Sequence, residues 1–371
     1  MTIVRQVPVT ATATEPAAAL LRGYVTAMNA VTRDTWVVDD FRREPDEVLG
    51  AMRPTPYELR PRFVALADDA DDEPRPDQVL GWGVLNLPQR ENTSWAYLQV
   101  GVLPAARGRG IGTALYDALF AIALEDDRTV FWTETEHASE APAGPDALVA
   151  PTGSGRVPAD DAGVRFARSR GWRLEQVERH SRLELPVDAD RLARQRADAA
   201  AVAGAGYRTI SWTGPTPALW QDAMALLRTR MSAGVPLAGL VYEEDQWDAA
   251  RVRDHDDQLV ARGMQIMVTA ALHEESGELV AYSEFEIPSV TWDFVYQGDT
   301  FVLPPHRGHR LGMLVKAVNL QRLAADLPDV RRVSTWNAEE NDHMLAINVA
   351  LGFRPAGCCG SWQLKVAEPA P

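Results

Sequence analysis

Two kinds of residue pattern in this sequence could support chemistry. Residues 107–112 read RGRGIG, and residues 307–312 read RGHRLG. A Gly-rich turn that leads from a strand into a helix leaves backbone N–H groups unpaired at the positive end of the helix dipole, a cradle suited to phosphate. Gly108, Gly110 and Gly112 remove Cβ atoms so that an anion can approach the backbone, and Arg107 and Arg109 add charge. The plainer reading of the same residues is an ordinary connection. No GK[ST] follows the glycines, so this is not a P-loop, and the spacing does not fit the dinucleotide fingerprint GxGxxG. The second pattern is ELVAYSEFEIP, residues 278–288. It alternates Val280, Tyr282, Glu284 and Glu286 on one face of a predicted strand, with Ala281, Ser283, Phe285 and Ile287 on the other. Two neighbouring carboxylates raise one another's proton affinity, which suits a base working near neutral pH. Glu284 is preferred over Glu286, which lies closer to the strand end at Pro288; the alternative is that both face solvent at a sheet edge.

The two hexapeptides belong to an internal repeat. LQVGVLPAARGRGIG places Val102, Pro104, Arg107 and Gly112, and DTFVLPPHRGHRLG places Val302, Pro304, Arg307 and Gly312 at the same mutual spacing. Helical periodicity follows each turn, through Ile111, Leu115, Leu119 and Ile122, and through Leu311, Leu314, Val315 and Val318. A β-prone run comes next, TVFWTET or VRRVSTW, and then a helix ending in Gly171–Trp172 or Gly352–Phe353. Glycine there suits a left-handed helix end, and the aromatic can pack back on its helix. A last strand is expected to close each half, WRLEQVERHSRLEL and FRPAGCCGSWQL. Each half thus reads strand, basic turn, amphipathic helix, strand, helix, strand.

At 371 residues the chain is long enough for two domains. The expected division is 1–186, an Ala-rich, partly helical connector at 187–206, and 207–371. Two loops stand out: an acidic one at 68–77, and residues 136–161, long enough to be either a lid or a mobile insertion. Glu134 and Glu136, after the next strand, are expected to open that second loop, the alternative being that they serve as the base in the first half. The formal net charge of -15 opposes binding to nucleic acid and to anionic membrane, although it could attract a cationic substrate. No apolar run approaches a membrane span and the start lacks a secretion signal, so a cytoplasmic protein is expected. The two cysteines, Cys358 and Cys359, fit neither a disulfide framework nor a zinc site, and no metal is expected.

The pattern V-x-P-x-x-R-G-x-G-x-G, an amphipathic helix, a strand and a helix ending in Gly-aromatic resembles the acyl-CoA-binding half of the GCN5-related N-acetyltransferase (GNAT) family. NDHMLAINVALGF is similar to that family's N-x-x-A-x-x-x-Y-x-x-x-G-F. The resemblance covers roughly residues 75–185 and 260–365, and implies an α/β class with two tandem GNAT domains, each a mixed twisted sheet flanked by helices. It implies acetyl-CoA as cofactor, its thioester arm between two splayed parallel strands and its pyrophosphate on the basic turn. In the first copy Arg107, Gly108, Arg109, Gly110, Ile111 and Gly112 would line the pyrophosphate, and Val100 and Val102 would pair with the pantetheine amides. In the second, Val302, Arg307, Gly308, His309, Arg310 and Gly312 take these places. Arg310 stands where the family usually has glycine, and either pairs directly with phosphate or marks a domain that has lost its ligand. Asn341 caps its helix or touches the cofactor.

The implied reaction is transfer of acetyl to a small-molecule amine by direct attack in a ternary complex. The family often takes its base from a Glu on the strand before the cofactor strand, the place of Glu284 and Glu286; the first half has no acid on its corresponding strand, VLGWGVLNLP. The family's usual acid, a tyrosine, is replaced by Ala167 and Asn348, leaving water, Tyr296 or His343. Tyr282, Trp292 and Trp336 are expected either as acceptor-pocket walls or as core aromatics. The rival reading is a non-catalytic acyl-CoA-binding scaffold. A homodimer remains open.

Overall fold

The computed structural model describes residues 2–67, 70, 74–289 and 293–366; Trp292 and half of the acidic loop at 68–77 lie outside the described residues. In chain order the elements are β1 (Ile3–Gln6), α1 (Ala19–Trp36), α2 (Pro45–Met52), β2 (Glu58–Leu59), β3 (Arg62–Leu66), β4 (Val79–Pro88), β5 (Trp95–Val102), α3 (Ile111–Glu125), β6 (Val130–His137), β7 (Ala147–Val149), β8 (Arg156–Pro158), α4 (Ala162–Ser169) and β9 (Arg173–Glu184). There follow α5 (Ala189–Ala203), β10 (Tyr207–Thr213), α6 (Gln221–Ser232), α7 (Ala249–Ala261), β11 (Met264–His273), β12 (Glu278–Pro288), β13 (Phe294–Val302), α8 (Leu311–Asp326), β14 (Arg332–Ala338), α9 (Asp342–Leu351) and β15 (Arg354–Lys365). Among the described residues no helix is long and apolar enough to cross a membrane.

The chain forms two compact units. One comprises Met1–Glu178, Leu237–Tyr242 and Gly357–Pro371, the other Arg179–Pro236 and Glu243–Ala356. This differs from the sequential division at 186 and 207, because β9 passes into the second unit after Glu178 and β15 into the first at Gly357. In the first unit the strand order is β1-β3-β4-β5-β6-β15. The slot beside β6 is taken by the last strand of the chain, antiparallel from Cys358 opposite His137 to Lys365 opposite Val130. In the second unit the order β14-β13-β12-β11-β10 is completed beside β14 by the end of β9. There the His180 imidazole is hydrogen-bonded to Ser334 and the Leu185 amide donates to the Arg331 carbonyl. Gln363 of β15 also pins the 237–242 segment in the first unit, accepting from the Val241 amide and donating to the Gly239 carbonyl.

The helix after each turn follows its expected stripe. In α3, Ile111, Leu115 and Leu119 are buried against β4 and β5, with Ile122 partly buried. The α8 helix is buried nearly all round from Leu311 to Leu320. The reason is α5, whose Leu192, Ala199 and Ala203 join the same core. Residues 187–206 are helical over Ala189–Ala203, as expected of the connector, and through α5 they are also packed into the core of the second unit. Gly171 and Gly352 take the left-handed conformation, with φ of 81° and 106°, and Trp172 and Phe353 after them are buried. Residues 136–161 are not a free insertion: β7 and β8 form a hairpin whose Val157 is fully buried, and Arg156 holds Glu140 and the Ala141 carbonyl.

Candidate functional site

In the first unit β5 and β6 pair in parallel only at Trp95–Val130, Ala96–Phe131 and Tyr97–Trp132. Both strands continue, to Val102 and His137, and beyond Tyr97 they diverge. The β5 edge from Leu98 to Val102, carrying Val100 and Val102, therefore has no strand partner on the β6 side. At the end of β5 the chain enters the turn. Gly108 and Gly110 adopt φ of 76° and 80°, and a Cβ on either would meet only open space. The first intrahelical bond of α3 runs from the Ala114 amide to the Gly110 carbonyl. Among the described residues none accepts a hydrogen bond from the amides of residues 108–113, so six N–H groups lie unpaired at the helix start. Arg107 is held by the Val102 carbonyl and by Asp34 at 2.9 Å, and Arg109 donates to the Ala105 carbonyl.

The second unit repeats this plan with alterations. β13 and β14 pair only at Phe294–Arg332, Val295–Val333 and Tyr296–Ser334 before separating. Gly308 has φ 85°, and Arg310 occupies the helix N-cap with φ 54° where the first unit has Gly110. The family-atypical residue thus keeps the left-handed turn at a steric cost of about 1 kcal/mol. Arg310→Gly is accordingly expected to stabilise the second unit by about that amount in a denaturant titration; an unchanged midpoint would mean that the guanidinium makes a compensating contact. Arg307 donates to the Val302 carbonyl, as its counterpart does. Asn341 is a helix cap, its Oδ1 accepting from the Met344 amide at 3.2 Å.

Along β12 the expected alternation holds from Ala281 to Ile287, with Tyr282 and Glu284 facing Arg228 on the side opposite Ala281, Phe285 and Ile287, and only Val280 departs from it. A bulge in the β11–β12 register at Ala271/Leu272 sends both Val280 and Ala281 into one core, while Tyr282 joins the opposite one. Glu284 is not at an open sheet edge: it is 3% exposed and bound by Arg228, at 2.8 Å and 3.3 Å to its two oxygens. Burial pushes its carboxyl up, to about 7, against the pull of Arg228. The guanidinium, equally buried, is held charged by Glu284, Tyr282 and Asp299. Asp299 stands 3.8 Å from Arg228, accepts from the Tyr282 hydroxyl at 3.0 Å, and keeps 41% of its side chain exposed. A second bulge places it there. Ser283 pairs with Thr300 and Phe285 with Gln297, so β13 has one extra residue at Gly298–Asp299. β5 pairs with β4 without such a bulge. Glu286 is half-buried on β12, in register with Ile266 and Tyr296.

Glu134 and Glu136 do not open a loop; both lie on β6. Glu134, two residues past the last parallel pair, accepts from the Tyr97 hydroxyl at 3.2 Å. Glu136 accepts from the Trp36 indole at 2.7 Å. Burial, with Glu178 and Glu136 close by, pushes the Glu134 carboxyl up to about 8. Burial likewise raises Glu136. The alternation of Trp132, Glu134 and Glu136 was the available sequence signal. Arg228 and Asp299 had no comparable signal, since a bulge and a residue distant in sequence bring them to Glu284. Of the other candidates, Ala167 is buried and Asn348 donates to Asn337 at 2.7 Å. His343 is exposed on α9. Trp336 stacks on His180 and Tyr296, at 4.6 Å and 6.2 Å between ring centres. Tyr282 is fully buried.

Residues 28–143 match the acetyltransferase (GNAT) family model. No curated protein sequence matches the chain. Among solved structures, a tandem GNAT protein from the clavulanic acid biosynthesis pathway is 24% identical, with all of both chains covered and a TM-score of 0.75. A GCN5-related N-acetyltransferase from Sphaerobacter thermophilus is 13% identical over 100% of this chain and 97% of its own, with a TM-score of 0.59. A GCN5-related glucosamine N-acetyltransferase region of a fungal multi-domain GH3 β-N-acetylglucosaminidase is 14% identical over 98% of this chain and 38% of that one, at a TM-score of 0.58. The family match is thus confined to residues 28–143, and over its whole length the chain has the fold of a tandem GNAT protein.

Proposed function

We propose that the protein transfers the acetyl group of acetyl-CoA to the amine of a small molecule by direct attack in a ternary complex. The observation that carries this reading is the set of unpaired amides at 108–113, at the start of the helix that follows a splayed parallel strand pair. Those amides, with Arg107, Gly108, Arg109, Gly110, Ile111 and Gly112 around them, would hold the diphosphate, and the free edge of β5 at Val100 and Val102 would pair with the pantetheine amides. When bound, the cofactor supplies the activated acyl carbon. The protein's part is to fix the arm, keep water out and take a proton from the ammonium. In the first unit Glu134, poised by burial and oriented by Tyr97, is the carboxylate suited to that transfer. In the second, Glu284 is proposed to act together with Asp299, Arg228 bridging the two. Asp299 offers the more open oxygen, and Glu284 sets the charge around it. Glu286 is a weaker candidate on the same strand.

Calorimetry with acetyl-CoA should show at least one site, and free thiol should accumulate with a panel of small amines. Binding without turnover for any amine would favour a scaffold that holds acyl-CoA without using it, a reading supported by Ala167 and Asn348 at the tyrosine position. In a chain carrying Gly110→Glu, so that the second unit is read, Glu284→Gln is expected to lower turnover about a hundredfold with cofactor affinity unchanged. Equal turnover across the pH range would remove Glu284 from the reaction.

A further inference from the structure

Around the second turn, three histidines gather on one tyrosine. His306 lies just before the turn and His309 within it, and His273 ends β11. Tyr207, at the start of β10, shares a hydrogen bond of 2.9 Å with His306 Nδ1. Its ring lies 5.2 Å from His273 and 5.1 Å from His309, and the His273 and His306 rings are 4.9 Å apart. Among the described residues no such group is arranged to hold a metal ion. The first unit has no counterpart: Ala106 and Arg109 stand at the positions of His306 and His309.

We propose that the second turn is a proton-gated anion site, in which His273, His306 and His309 supply positive charge to residues 307–312 when protonated and withdraw it when neutral. This rests on the reading that the turn holds the phosphates of coenzyme A, and adds how that hold is regulated. Three imidazoles this close repel one another once charged. Burial, His273 and His309 all push His306 below its ordinary value, with only Glu278 opposing them. A bound polyphosphate reverses the balance, because each imidazolium then faces an anion. The remaining charges nearby do not titrate near neutrality. Arg307 and Arg310 are permanent cations of the turn, and Arg208 on β10 is tied to Glu274 at 2.8 Å. Ser276 is hydrogen-bonded to His273 Nδ1 at 2.9 Å and fixes that ring. The first turn, with arginines alone, would hold its ligand without this dependence.

The test uses the full chain carrying Gly110→Glu, so that the second turn is the one read, with coenzyme A titrated by calorimetry near pH 8 and near pH 6. Affinity is expected to rise about tenfold towards the lower pH. The coenzyme's own terminal phosphate loses charge in that direction, so the ligand cannot produce the rise. A variant combining His273→Asn, His306→Asn and His309→Asn should lose the rise. In the parent, the imidazole resonance of His306 should titrate at higher pH once coenzyme A is bound. Binding that is independent of pH, or a rise that survives in the triple variant, overturns the gating alone. No binding at either pH overturns the gating and the cofactor reading of this turn together.

Discussion

In Gly110→Glu, the first unit loses its affinity for acetyl-CoA by at least about a hundredfold while the chain stays folded. Gly110 sits at the N-cap of α3 with φ 80°, and nothing lies within 4 Å of where its Cβ would be. A glutamate there meets no steric obstacle in the protein beyond the left-handed backbone, which costs about 1 kcal/mol. Its carboxylate, however, hangs over the unpaired amides that the diphosphate would need. A like charge at about 5 Å in a partly screened site costs roughly 3 kcal/mol, more than two decades of affinity. Gly110→Ala separates the two effects, since it carries the backbone cost without the charge and should weaken binding only several-fold. The check is calorimetry on both variants with circular dichroism as the folding control. Undiminished affinity in the glutamate variant would mean that the turn does not hold the cofactor.

The second large effect concerns stability. Lys316 on α8 is 1% exposed, with its ammonium 5.7 Å from the centre of the Phe353 ring. Burial alone pulls its amine down, to about 7, and no carboxylate opposes that shift. The repeat shows what normally fills this space: Tyr116, in the corresponding position, is bonded through its hydroxyl to the Trp172 indole at 3.3 Å. The unfolded lysine keeps its ordinary value near 10.4, so between about pH 7 and that value the unfolded chain binds the extra proton. Stability from this group therefore rises with pH across the window, and below it the full penalty is present. Lys316→Met keeps the length of the side chain and puts a thioether against Phe353. It should stabilise the second unit by about 3 kcal/mol near pH 6, with the gain shrinking towards pH 10. Denaturant titrations across that range check both the sign and the slope. A gain that does not change with pH would show that folding leaves the proton affinity of Lys316 unchanged, as it would if the ammonium reached a partner.

The features that were legible in the chain are those written in local pattern. The repeat, the glycines of the turn, the apolar stripe of α3 and the left-handed glycines 171 and 352 each depend on residues within a few positions of one another, where backbone sterics and helical period act directly. So does the placing of a carboxylate on β12. What Glu284 meets was not legible, because Arg228 lies 56 residues away and reaches it only once α6 packs on the sheet. The importance of Glu134 was hidden by the end of β6, which runs to His137 only because β15 pairs with it along its whole length.

The sequence by itself determined that two copies of a strand, basic turn and helix exist, and that each turn leaves amides to offer an anion. The tertiary structure alone decided which closing strand completes which sheet, which carboxylates are desolvated, and that residues 187–206 are core. The physical reason is that strand pairing and burial are long-range. Hydrogen-bond ladders are nearly indifferent to which β-rich segment fills a slot, so WRLEQVERHSRLEL and FRPAGCCGSWQL read alike until their side chains must fit a particular core. A carboxylate's proton affinity, in turn, depends on neighbours that folding brings from anywhere in the chain.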